Sequence, residues 1–253
     1  MPNLNGEFLL VWVLAALRAT GLMLMPPVFS ARSIPVVVRV VLGLLLAFLV
    51  AGVQKMPGTG LSNPGTMIVA MLSEFVLGLL MGWAVRLTAQ AIDTAGQIIA
   101  SELGFTMGQQ MDPMTGDSSN AVASLLTAFG TVVFLATGAH QAMLAAYLKS
   151  YSIAPLGALQ LTAESGTLLV HATGKIFLIA MQMAAPLIAV NFVVTLTFAI
   201  LGKAAPAIQV FSESFAVRIV AGFSVLALTL RLVAQLAGDR FQEAPELMLR
   251  LLR

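Results

Sequence analysis

Long apolar runs, interrupted by only an occasional charge, recur from one end of this 253-residue chain to the other. About 20 mostly apolar residues make a helix long enough to cross a bilayer core. Six stretches approach or exceed that length: Phe8–Val28, Val36–Val53, Met67–Ile92, Ala121–Leu148, Leu168–Leu201 and Phe215–Ala237. Backbone polar groups in an apolar medium must be satisfied within their own segment, so such runs fold as helices. Hydrophobic residues make up 59% of the chain and charged residues 9%, against roughly 25% charged in a soluble domain. A soluble fold has too little polar surface to cover so much apolar side chain. The surplus faces lipid or a large protein partner, and the expected fold class is all-α and membrane-associated.

Breakers separate the segments. Pro26-Pro27 closes the first and Pro35 precedes the second. Residues 54–66 are rich in turn formers, and 104–120, 149–167 and 202–214 supply the other breaks. The N-terminal stretch lacks a positive leader and carries Glu7, and its apolar run is longer than that of a cleaved signal, so the first helix is expected to be retained. Met67–Leu103 reads as one continuous helix. Leu168–Leu201 would reach roughly 50 Å at about 1.5 Å per residue, well beyond a core of about 30 Å. Such length calls for tilt, a kink at Pro186, or projection into an assembly. The tail after Ala237 reads as a short amphipathic helix lying at an interface. If every segment crosses, the Lys/Arg bias puts both termini in the cytoplasm.

Several functions are disfavoured. The net charge of +2 is too small and too scattered for a nucleic-acid face. There is no cysteine, and the two histidines, His140 and His171, are far apart. No metal motif, phosphate loop or nucleophilic triad appears, so no catalytic site, metal or cofactor is expected.

Charges within or beside the apolar stretches are the functional candidates by default: Arg18, Glu74, Arg86, Asp93, Glu102, Lys175 and Arg218. A solute or ion transporter would use such groups at mid-membrane. The plain alternative is pairing between helices or snorkelling to an edge. No segment concentrates acids as a proton relay would, which favours pairing. Gly78 and Gly82 form a G-x-x-x-G that lets helices approach closely. The 104–120 break is unusual, with Gly104, Gly108 and Gly116 beside the large, soft Met107 and Met111. Non-helical backbone at membrane depth is tolerated where it is buried in protein or lines a cavity, so this stretch suits a pore lining or plug.

Four stretches carry a family resemblance: LRATGLMLMPPVFSARSIPVVVRV, AGQIIASELGFTMGQQMDP, TGAHQAMLAAYLKSYSIAPLG and NFVVTLTFAILGKAAPAIQVFSESFAVRIVAGF. In this order, covering about residues 10 to 225, they resemble the signatures of the FliR family, a subunit of the flagellar type III export gate. The resemblance implies a FliP-like portion over about 1–165, a FliQ-like helical hairpin over about 166–240 and a short amphipathic tail at 241–253. The helices would form long tilted hairpins, largely raised out of the membrane plane. It implies a non-enzymatic, pore-forming subunit at the flagellar basal body in the bacterial inner membrane. FliP-like and FliQ-like subunits, FlhB-like and FlhA-like export proteins, membrane lipid and unfolded flagellar substrates in transit would be its partners. The family's central loop plugs the closed pore, which by position implies Gly104, Phe105, Met107, Gly108, Asp112 and Pro113, with Gln109, Gln110 and Met111 inside the same loop. Arg32, Pro35, Asn191, Lys203, Pro206, Gln209 and Phe211 match signature positions of structural role. Injectisome homologues share the fold. Gly138-Ala139-His140 and the Pro155-Leu156-Gly157 turn favour the flagellar branch.

Overall fold

The computed structural model describes residues 6–26, 34–54, 63–105, 121–157, 162–205 and 210–252. These hold seven helices and no strand: α1 (Gly6–Leu24), α2 (Val36–Ala51), α3 (Pro64–Glu102), α4 (Ala121–Ala136), α5 (Ala139–Ile153), α6 (Ala163–Ala204) and α7 (Val210–Arg250).

Local chemistry explains the boundaries. Asn63 caps α3: its side-chain oxygen accepts from the Gly65 amide at 3.2 Å, and Pro64 takes the first helical position, where no amide hydrogen is needed. The same helix ends on Gly104 at φ +83°, with the Phe105 amide donating back to the Ala100 carbonyl at 3.0 Å. That pattern satisfies the last carbonyls and requires a left-handed residue. Thr162 caps α6 through the Ser165 amide. Glu164 in its first turn and Lys203 in its last complement the helix dipole.

Among the described residues, four helices are long and apolar enough to cross a membrane: α1, α3, α6 and α7. The count of six apolar crossings is therefore revised. The fourth segment, Ala121–Leu148, is divided at Gly138, whose φ of +70° interrupts the helix, and α4 and α5 meet at 63°. Counted together as one bent span, they bring the total to five. The second segment yields only the 16 residues of α2, short of a full crossing. The tail is also revised. It continues α7 unbroken through Pro245, and Phe241, Ala244 and Met248 are buried in protein. Apolar residues three to four apart formed the stripe that suggested an interfacial helix, but a stripe fits a protein groove equally well.

The chain divides into two compact units. The first comprises Met1–Ala89, Phe134–Thr173 and Arg240–Arg253. Its core includes Leu14, Ala15, Ala19 and Leu22 of α1, Leu77, Met81 and Ala84 of α3, Met143 and Tyr147 of α5, and Phe241 and Met248 of α7. The Phe134 and Phe241 rings pack edge to face at 5.1 Å. Helix α2 lies on α1: Trp12 donates to the Leu44 carbonyl at 3.2 Å, and Phe8 meets Phe48 edge-on at 5.7 Å. The second unit comprises Gln90–Val133 and Gly174–Asp239. Its centre is Ile99, Ala100, Leu103, Val122, Leu126, Ala184, Leu187 and Leu226.

Candidate functional site

Two polar constellations stand out against the apolar background, one in each unit. The first is built on Arg18 of α1, which is fully buried, as is Glu74 of α3. Small residues on α1 and α3 make the approach possible. A Cβ on Gly78 would overlap the Arg18 carbonyl oxygen and lie 2.9 Å from its carbon. One on Gly82 would lie 2.6 Å from the Leu22 carbonyl oxygen, and one on Gly21 would lie 2.7 Å from that of Phe75. The backbones thus touch with no side chain between them, the use to which small residues at this spacing are suited.

At that contact the guanidinium forms a fork with the carboxylate: Nε donates to Glu74 Oε2 at 2.6 Å and Nη2 to Oε1 at 3.0 Å. Both terminal nitrogens make a further bond. Nη1 donates to Ser150 Oγ and Nη2 also to the Ala154 carbonyl, both at 3.0 Å. The guanidinium carbon lies 4.3 Å from the centre of the Tyr151 ring, a favourable position over its negative face. Glu74 Oε1 additionally accepts from the Gly157 amide at 2.8 Å, and Gly157 holds φ +76°. Tyr151 donates to the Tyr147 hydroxyl, which donates to the Ala15 carbonyl. One ion pair thereby ties α1, α3, α5 and the turn after α5 into a network in which each charged atom is satisfied. A buried pair is tolerated only on that condition.

The second constellation holds the end of α3 against α6 and α7. Asn191 Nδ2 donates to the Glu102 carbonyl at 2.9 Å and also to its carboxylate. The Leu103 side chain fills the notch left by Gly222, where a Cβ would collide with it. Gly104 passes close to the Phe215 ring, and the Phe105 ring meets Phe223 edge-on at 6.2 Å. Residues 102–105 are thus each seated on a separate feature of the two helices. In the same unit the Thr127 hydroxyl donates to the Asp93 carboxylate, joining α4 to α3.

The other candidates are spread out. Arg86 and Lys175 are exposed on α3 and α6, and Arg218 is half-buried on α7. Pro35 caps the start of α2, and Lys203 is exposed in the last turn of α6. Arg32, Met107, Gly108, Gln109, Gln110, Met111, Asp112, Pro113, Pro206 and Gln209 lie outside the described residues, as does the side chain of Phe211. Sequence reasoning passed over Tyr147, Ser150 and Tyr151. Their i, i+3, i+4 spacing puts three hydroxyls on one face of α5, a polar cluster that signals a buried partner. Gly21 and Gly222 carry no such signal, because each is a lone glycine whose meaning comes from the helix opposite.

The family model for bacterial export proteins, family 1, matches residues 9–244. The flagellar biosynthetic protein FliR of Caulobacter vibrioides is 31% identical over 227 residues, covering 89% of this chain and 90% of that protein. FliR of Escherichia coli is 24% identical over 230 residues, covering 90% and 87% respectively. The Yop proteins translocation protein T of Yersinia pestis is 26% identical over 148 residues, covering 58% of this chain and 57% of that protein. The family match includes both polar constellations, from Arg18 to Gly222, and on this extent the chain belongs to the bacterial export proteins of family 1, the family of flagellar FliR.

Proposed function

We propose that this chain is a non-enzymatic, pore-forming subunit of the flagellar type III secretion export gate in the bacterial inner membrane. There it would assemble with FliP-like and FliQ-like subunits and work beside FlhB-like and FlhA-like export proteins to pass unfolded flagellar proteins. The observation that carries this reading is the excess length of α6 and α7 together with the apolar faces they leave exposed. They run for 42 and 41 residues, about 60 Å each at the usual helical rise, twice the bilayer core. Their membrane-scale windows are only 17% buried, with Phe177, Met181, Phe192, Leu196, Val220 and Leu228 exposed. Lipid can cover about half of that length, the end of α7 packs on this chain through Phe241, Ala244 and Met248, and sibling helices would cover the apolar faces left exposed. On this reading about 1–165 is the FliP-like portion and about 166–240 the FliQ-like hairpin. The seating of residues 102–105 supports a plug whose root is fixed to the hairpin. The longer coverage by flagellar relatives than by the injectisome one favours the flagellar branch.

Co-expression with FliP-like and FliQ-like chains should yield a stable complex that survives detergent extraction. Solute uptake by the isolated chain in liposomes, with no such complex, would replace the gate by a small-solute transporter. Deleting residues 106–111 should leave assembly intact while the resting gate leaks small ions, read as conductance in planar bilayers. Assembled complexes with unchanged conductance would remove the plug from the proposal.

A further inference from the structure

The second constellation leaves two buried polar atoms over. Asn191 is 9% exposed and uses its amide nitrogen on Glu102, but its Oδ1 has no hydrogen-bond partner among the described residues. The buried Arg218 Nε has none among them either. One is an acceptor and the other a donor. Orphaned buried groups of this kind are costly, and a charged one within an apolar helix more so.

Register places the two together. Leu187 of α6 faces Gly222 of α7, with a Cβ on Gly222 3.9 Å from Leu187 Cδ1, and Ala184 and Leu226 join the same cluster. Only five residues separate the end of α6 from the start of α7, a connection too short for anything but antiparallel neighbours. Asn191 is one turn beyond Leu187, and Arg218 is one turn before Gly222. They therefore occupy the same level on facing sides of the hairpin. Glu102, bonded to Asn191 and adjacent to the Leu103 that fills the Gly222 notch, lies at that level too.

We propose that Glu102, Asn191 and Arg218 form one polar latch with two settings, and that Arg218 is the positioning residue of the second. In the setting observed, Asn191 alone holds Glu102. In the other, the Arg218 guanidinium donates to the Glu102 carboxylate and to Asn191 Oδ1, so both leftover atoms are satisfied at once. The exchange needs only rotation of the Glu102 and Arg218 side chains, while Leu103 in its notch keeps the main chain in place. A guanidinium–carboxylate bond is stronger than an amide–carboxylate bond in a medium that excludes water. The second setting therefore grips the end of α3 more tightly than the first. The latch rests on the geometry of this unit and stands independently of the export-gate reading.

Hydrogen exchange of the Leu103, Gly104 and Phe105 amides tests it on the full chain purified from membranes. These amides donate to Ile99, Ser101 and Ala100 and open only when the end of α3 is released. Glu102→Gln and Arg218→Gln should each speed their exchange about tenfold, and the double variant should be no faster than the faster single one. Val217→Gln, at an exposed neighbour, should exchange like wild type. Wild-type exchange in Arg218→Gln, or single effects that multiply in the double variant, overturns the latch. Should Arg218→Gln also unprotect Tyr147 in α5, Arg218→Lys with and without Glu102→Gln carries the test. Equal exchange in Glu102→Gln and the pair supports the latch, and multiplied exchange overturns it. Because exchange is read whether or not the chain exports protein, failure of the latch and failure of the gate remain distinguishable.

Discussion

Replacing Glu74 by alanine is expected to destabilise the chain by about 3–5 kcal/mol, the range for removing one partner of a buried ion pair. The substitution strands the fully buried Arg18 guanidinium and takes the acceptor from the Gly157 amide. Most of the loss comes from the uncompensated charge and not from the missing attraction. Thermal unfolding followed by tryptophan fluorescence should show a Tm lower by roughly 10 °C or more. Trp12 on α1 and Trp83 on α3 make suitable reporters. The double substitution Arg18→Met with Glu74→Leu should recover most of that loss, because it removes both charges and refills the volume. Arg18→Lys should not recover it, since an ammonium lacks the planar fork that serves Glu74, Ser150 and Ala154 together. Wild-type stability in Glu74→Ala would mean that water reaches Arg18 and that the network does not join the helices as described.

Gly78→Val is the second large effect, and its cause is steric. The added Cβ would occupy the space of the Arg18 carbonyl, and main chain cannot swing aside as a long side chain can. Helices α1 and α3 would have to separate, which also stretches the Arg18–Glu74 fork. A loss of about 3 kcal/mol, the upper end of the usual overpacking range, is expected. Gly78→Ala should already be harmful. Gly174→Ala supplies the contrast, because nothing lies within 4 Å of a Cβ there. It should be neutral or stabilising by up to about 1 kcal/mol through helix propensity. Steady-state levels in membranes, together with Tm of the purified chain, would separate the two glycines. Equal behaviour at both positions would remove close approach as the reason for Gly78.

Both predictions concern residues that sequence inspection singled out, yet it left their partners open. Arg18 and Glu74 stood out as charges in apolar runs, and Gly78 and Gly82 as a spaced pair. Which charge meets which is a matter of long-range contact, since Arg18 and Glu74 are 56 residues apart and Ser150 is a further 76 along. Among the seven charges, four make side-chain bonds through different partners: Arg18 with Glu74, Asp93 with a threonine and Glu102 with an asparagine. Arg86 and Lys175 are exposed. Hydropathy treats these positions alike because it registers the cost of burying a charge but not what offsets that cost.

Composition and spacing by themselves determined that the chain is helical, that its apolar surface exceeds what one soluble fold can hide, and that some helices outrun a bilayer. These properties are local. They depend on what each residue costs in an apolar medium and on how many follow in succession, and neither requires a partner. Tertiary structure decided the rest. It split the fourth apolar run at Gly138, where a left-handed φ outweighed continuous hydropathy. It turned the tail inward, because the stripe of Phe241, Ala244 and Met248 found protein to cover it. It also gave single glycines their meaning, since the space that Gly21 and Gly222 leave open is defined by residues far away in the chain.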